Sequence, residues 1–217
     1  NKISELNEDF EYHAVHLGAD IENSLPTTGM PKDASEVLAV LSKNTSFLMT
    51  GTLEPRKGQT HALDAFDELW AGKHDVVLVI VGKDGWHVED LAKRLRNHPE
   101  LGKRLFWLEG VSDEYLEEIY TNATCLLAAS WGEGFGLPLI EAARYDLPIL
   151  ARDLLVFREV AKDHAIYFDT TTAEGLAKVI TNWKAAYDVG KVPNSGNIPW
   201  LTWAESAEQM GKILLEP

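Results

Sequence analysis

Six short apolar runs, separated by longer amphipathic stretches, narrow the folds open to this chain more than any other feature. The runs are SFLMTGT (46–52), VVLVIVG (76–82), LFWLEG (105–110), CLLAAS (125–130), PILA (148–151) and AIYFD (165–169). They lack the apolar–polar alternation of a half-exposed strand, so they read as strands buried on both faces. Residues 58–70 between them place Ala62, Phe66 and Leu69 on one helical face. Residues 88–96 and 113–120 begin beside acidic side chains, which suit helix N-termini. This alternation predicts an α/β fold, a Rossmann-like doubly wound parallel sheet of about six strands with helices on both faces. A ligand is then expected at the carboxyl ends of the strands.

The start of the chain breaks the rhythm. FEYHAVHLGAD holds one strand-like run, IENSLPTTGMP is rich in turn formers, and a helical pattern begins only over Lys32–Ser42. Residues 1–31 are therefore read as a strand end plus connector, and residues 32–217 as the principal domain. His13 and His16 are three apart on an extended segment and are expected to point to opposite faces. The remaining histidines form no HExxH or Cys/His pattern, so no metal site is expected.

Composition removes further classes. In 217 residues the net charge is -14, which argues against a broad nucleic-acid surface built from clustered Lys and Arg. The single cysteine, Cys125, lies in an apolar run and reads as a buried core thiol in a reducing compartment. No apolar run approaches the roughly 18 residues of a membrane span. The chain opens NKISELNEDF without a Met or a secretory apolar region, and is read as a piece of something longer.

Three loops at strand ends carry the chemistry. In GTLEPRKGQ, Gly51 ends a strand and Arg56, Lys57 and Gly58 open a helix. Cations there oppose the helix dipole, so the fold gains nothing from them unless an anion joins them. With free backbone N–H groups alongside, they make a candidate diphosphate site; the competing reading is a solvated turn with two surface charges. A Walker A loop is excluded, because it needs Gly where Arg56 stands and Ser or Thr where Gly58 stands. VGKDGWHVED supplies Gly82 and Gly85 for close backbone approach and Lys83 for charge, but taken alone it reads better as a plain βα turn. In WGEGFGLPLIEA, Gly132, Gly134 and Gly136 enter a helix without the spacing of a dinucleotide fingerprint. Glu133 in that turn has no packing role and would repel phosphate, so it is assigned to a hydroxyl-rich group. Glu141 lies about 7 Å further along the helix axis and suits a ribose diol. Surface acids near a helix start are the rival reading for both.

EGFGLPLIEA with its Glu–seven residues–Glu spacing, GTLEPRKG, LFWLEGVSDEYLEEIY and FREVAKDHAIYFD together resemble the carboxy-terminal donor-binding domain of retaining glycosyltransferases of the GT-B fold, glycosyltransferase family 4 (group 1). The resemblance runs from about Ser46 to Thr170 and implies one half of an enzyme. It makes Arg56, Lys57 and Glu133 the catalytic candidates: the two cations neutralise the diphosphate and Glu133 contacts the transferred sugar. Glu141 would bind the ribose. The backbone around Gly134, Phe135, Gly136 and Leu137 would touch sugar and phosphate, Val111 would meet the base, and Gly51, Thr52 and Lys83 complete the donor set. Many members carry Arg where this chain has Thr52, which implies either that the diphosphate rests more heavily on Arg56 and Lys57 or that it is oriented differently. YHAVHLGAD resembles the exit from the amino-terminal GT-B domain, and LTWAESAEQMGKIL a terminal helix that packs toward it.

The resemblance implies transfer of a mannose- or glucose-type hexose from a nucleotide-diphosphate sugar, such as GDP- or UDP-hexose, to a glycan or lipid-linked acceptor. Polysaccharide or lipopolysaccharide biosynthesis is the implied setting. No cofactor and no metal are expected, and no nucleic-acid partner. The implied location is cytoplasmic, with peripheral contact at the inner membrane face through the absent amino-terminal domain, and the isolated chain is expected to be inactive. A non-catalytic nucleotide-sugar binding module is the alternative. A dehydrogenase or epimerase is not, because Gly51–Gly58 does not supply GxGxxG. Glu133 is not assigned as a nucleophile, since glycosidase chemistry needs two acids flanking one bond.

Overall fold

Each of the six apolar runs forms a parallel strand in the computed structural model, which describes residues 13, 15–20 and 29–215. In chain order the elements are α1 (Ala34–Lys43), β1 (Thr45–Thr50), a 3-10 turn (Pro55–Lys57), α2 (Gln59–Ala71), β2 (Val76–Val81), α3 (Glu89–Arg96), β3 (Leu105–Leu108) and α4 (Asp113–Asn122). They continue with β4 (Cys125–Ala128), α5 (Leu137–Arg144), β5 (Ile149–Arg152), α6 (Leu155–Ala161), β6 (Ile166–Phe168), α7 (Ala173–Asp188), a second 3-10 turn (Ser195–Asn197) and α8 (Trp203–Leu215). The first two strands stop a residue or two before their apolar runs do. Gly51 at φ 114° and Gly82 at φ 155° turn the chain there, in backbone regions that a side chain disfavours.

The sheet order is β3-β2-β1-β4-β5-β6. Every residue of β2 is buried, as expected for a strand covered on both faces. Alternate residues of β1 serve two cores. Phe47 and Met49 pack with α2 and α7, and the Phe47 ring meets Phe66 at 5.7 Å and Trp183 at 5.3 Å in edge-on contacts. Leu48 faces the other side, where α1 and α5 adjoin the sheet, and it is equally inaccessible. Cys125 is fully buried, and burial pushes its thiol pKa well up, consistent with a core role.

Contacts divide the chain into two units, residues 21–199 and residues 1–20 with 200–217. In the smaller unit Gly18 bridges Leu201, and Ser206 Oγ donates to the His16 carbonyl at 2.6 Å. Gly18 there has no room for a Cβ, which would stand 2.3 Å from the Trp203 nitrogen. The strand-like run at 10–20 is described only at His13 and 15–20, and most of the expected connector, residues 21–28, lies outside the described residues.

Candidate functional site: a cleft at the switch of strand order

β1 and β4 are neighbours although three helices and two strands separate them in sequence, so the loops that leave them diverge from one crevice. In open parallel sheets that reversal of strand order is where ligands bind. The two loops, 51–58 and 129–136, carry the Arg56–Lys57 pair and Glu133. They approach at backbone distance. Trp131 N donates to the Arg56 carbonyl at 2.7 Å, and a Cβ on Gly58 would stand 2.2 Å from the Ala129 carbonyl oxygen. The β2 loop closes in likewise: Gly51 N donates to the Val81 carbonyl and Leu53 N to that of Lys83.

A cavity of about 550 Å³ opens there. Gly51, Thr52, Lys57, Lys83, Val111, Glu133, Phe135, Gly136, Leu137 and Glu141 all line it; Arg56 and Gly134 do not. Arg56 instead reaches the cavity's edge through Glu133. A second cavity of about 280 Å³ adjoins the first at Gly110 and Val111 and is walled by Trp107, Tyr115 and Asp33. The helices that follow the two loops, α2 and α5, have no side-chain cap: their cap residues are Gly58 and Gly136, both left-handed, and of these only Gly136 lines the cavity. Helices α1, α3 and α6 lack one as well, whereas α4 and α7 are capped by Ser112 and Thr172. Uncapped helix starts leave first-turn N–H groups for an anion.

The electrostatics around Glu133 depart from the sequence expectation. Lys57 Nζ donates to Glu133 Oε1 at 2.6 Å, Arg56 Nη1 to Oε2 at 2.9 Å, and Ser130 Oγ to Oε1 at 2.8 Å. Arg56 Nε also pairs with Glu54 at 2.8 Å. The Glu133 side chain is only 9% exposed. Glu133 thus does have a role within the fold, and the two cations that the helix dipole disfavours are compensated by the chain's own carboxylates. Burial pushes the Glu133 carboxyl up, but the bonds from Lys57, Ser130 and Arg56 and the charge of Lys57 outweigh it, so it stays below its ordinary value.

Glu141 sits in the opposite environment. Tyr120 Oη donates to its Oε2 at 2.6 Å, and Thr50 Oγ1 lies 3.1 Å from the same phenol oxygen. Burial raises the Glu141 carboxyl above its ordinary value despite the Tyr120 bond. Tyr120 is fully buried, and burial together with the Glu141 charge holds its phenol well up, so it remains a donor.

Sequence reasoning missed Tyr120, Ser130 and an Arg152 cluster. Arg152 ends β5, where an arginine reads as solvated, yet it is 4% exposed. It donates to the carbonyls of Ala129 and Thr170 at 3.1 and 2.8 Å, lies 2.9 Å from His61 Nδ1, and stacks 3.6 Å from the Trp131 ring centre. It thereby fixes the start of the Glu133 loop. The only sequence signal is the proximity of Arg152 to the end of a strand next to β4, and strand order is not legible there. Among the described residues no three His, Cys, Asp or Glu side chains gather as metal ligands, and no helix is long and apolar enough to cross a membrane.

Residues 32–189 match the family of glycosyl transferases group 1. The chain belongs to that family. Among its group 1 relatives, the serotype-specific mannosyltransferase WbdA of Escherichia coli is 51% identical over 199 residues, covering 92% of this chain and 24% of that protein. The chain therefore spans about a quarter of that relative's length. The O-antigen chain mannosyltransferase RfbU of Salmonella typhimurium is 27% identical over 68% of the chain and 41% of its own length. Among solved structures, Anabaena HepE in complex with UDP and glucose superposes with a TM-score of 0.70 at 19% identity, over 94% of this chain and 56% of that one. The fold is thus that of a group 1 transferase, as the Rossmann-like expectation had it.

Proposed function

We propose that the chain is the donor-binding half of a retaining hexosyltransferase that moves mannose, or a glucose-type hexose, from a nucleotide-diphosphate sugar to a glycan or lipid-linked acceptor in polysaccharide or lipopolysaccharide synthesis. One observation carries the reading: Lys57, Glu133, the uncapped start of α5 and Glu141 all face one cleft at the β1–β4 switch. The mannosyltransferase relatives support the sugar, and the UDP-bound neighbour supports a nucleotide ligand.

In this reading Arg56, Lys57 and the N–H groups at the starts of α2 and α5 stabilise charge on the departing diphosphate, without a metal or other cofactor. Glu141, held by Tyr120, accepts from the ribose hydroxyls. Glu133 contacts the sugar, and the acceptor attacks from the face that the phosphate leaves. Val111 and the adjoining cavity take the base. Gly51, Thr52, Lys83 and the backbone from Gly134 to Leu137 hold the rest of the donor. The acceptor belongs to an amino-terminal GT-B domain, so residues 1–217 alone bind donor and transfer nothing, because the water-excluding cleft needs both halves. A cytoplasmic setting fits the buried, unpaired Cys125.

Calorimetric titration with GDP-, UDP- and ADP-sugars tests this directly. Binding of one nucleotide series is expected, and Glu141→Ala should weaken nucleotide sugar and free nucleoside diphosphate alike by about 1.5–3 kcal/mol. Absence of binding to any series, or glycosyl transfer by the chain alone, would overturn the assignment. Donor binding without transfer by the longer parent would favour the binding-module alternative.

A further inference from the structure

We propose that Glu133 determines which diphosphate the cleft prefers, favouring the sugar-esterified donor over the free nucleoside diphosphate, and so speeds product release. The inference rests on the donor-binding reading above. The cations on this wall are already matched: Lys57 and Arg56 both bind Glu133, and Arg56 also binds Glu54. Glu133 and Glu54 offset the charge of the two cations, so a phosphate gains less from this wall than two unpaired cations would give it. The Lys57 side chain is 15% exposed and that of Glu133 is 9% exposed, so solvent screens this pair weakly. Ser130 adds a third bond that anchors the carboxylate. A phosphate that reaches Lys57 from the cleft therefore arrives beside a fixed anion, 2.6 Å from the ammonium it seeks.

The repulsion scales with ligand charge. A nucleotide sugar carries a diphosphate diester with two negative charges. Its product, the free nucleoside diphosphate, ends in a phosphate whose second ionisation lies near pH 6, so that it carries about one charge more above neutrality. The same carboxylate thus penalises product more than substrate. Glu133 is held by bonds on both oxygens and cannot turn away without releasing Lys57 or Arg56, which keeps the penalty in place.

The experiment uses three ligands of the base that the chain binds: the nucleoside diphosphate, its terminal methyl ester and its hexose ester, titrated at pH 8 and low salt. The methyl ester has the donor's charge and no sugar, and so separates charge from sugar contact. The parent chain should bind the methyl ester more tightly than the free diphosphate. Glu133→Gln keeps the shape and acceptor but removes the charge, and should tighten the free diphosphate by about tenfold and the methyl ester by less. Glu133→Asp, which keeps the charge, should leave the preference intact. An unchanged or weakened free diphosphate in the Gln variant, an Asp variant that behaves like Gln, or a parent that prefers the free diphosphate would each overturn the inference while leaving donor binding standing. A parent that binds none of the three overturns the donor-binding reading itself. If the Gln variant does not fold, the parent's preference between methyl ester and free diphosphate still decides the matter.

Discussion

Replacing Gly58 by alanine tests whether the loops of β1 and β4 form one rigid unit. Gly58 has φ 75°, and an added Cβ would lie 2.2 Å from the Ala129 carbonyl oxygen and 2.8 Å from its carbon. Those are backbone atoms, so no side chain can swing aside. Gly102 supplies a matched control, since it also has φ 75° but nothing within 4 Å of an added Cβ. The left-handed conformation costs both alanine variants about 1–2 kcal/mol. Forced displacement of packed backbone adds about 1–3 kcal/mol at Gly58 alone. Gly58→Ala should therefore lose about 2–5 kcal/mol in urea unfolding followed by tryptophan fluorescence, against about 1–2 for Gly102→Ala. In a domain of this size each kcal/mol lowers Tm by about 2–4 °C. The consequence extends to the site, because the displaced Ala129 begins the segment that carries Ser130 and Glu133, and Trp131 N bonds Arg56. Only Gly58→Ala should weaken nucleotide binding. Equal stability losses in the two variants would refute the idea that close approach of these loops constrains the cleft.

The double variant Arg56→Ala with Lys57→Ala should weaken nucleoside diphosphate binding on the order of a hundredfold, from the loss of two charge-assisted contacts; its salt dependence in calorimetry should flatten, and parental affinity would remove these residues from the phosphate site. The two glutamates should show opposite pH-dependent stability in thermal melts. The Glu141 carboxyl is raised in the folded state, so its contribution is fully present below the unfolded value near 4.3 and is lost as pH rises through the folded value. Glu141→Gln should accordingly be more stable than the parent at pH 7, with the gain vanishing toward pH 4. The Glu133 carboxyl is lowered, so its contribution is present above the unfolded value and lost as pH falls through the folded one. Glu133→Gln should be less stable at pH 7 and converge with the parent in acid; the same sign for both variants would contradict the opposed environments.

The strand–helix rhythm was legible because a strand buried on both faces must be apolar throughout, and VVLVIV admits little else. Most of the residues that line the cleft were also legible, because glycines and charges at strand ends mark where a backbone must approach a ligand. The partners of those residues were not. Lys57 and Glu133 are 76 positions apart, and nothing local to either records that the other neutralises it. Tyr120 reads as one more aromatic on an amphipathic helix, yet it is the donor that holds Glu141. Arg152 reads as a solvated strand end, yet it is buried against His61, Trp131 and two carbonyls.

The sequence by itself determined which segments are strands and helices and at which end of the sheet the candidate cleft lies, because burial periodicity and turn chemistry are local properties of the chain. The tertiary structure alone decided that β1 lies beside β4, which turns two remote loops into one cleft. It also decided the charge state of that cleft. A carboxylate's field depends on what stands within a few ångströms of it, and in a parallel sheet whose neighbours are not consecutive those distances are set by strand order.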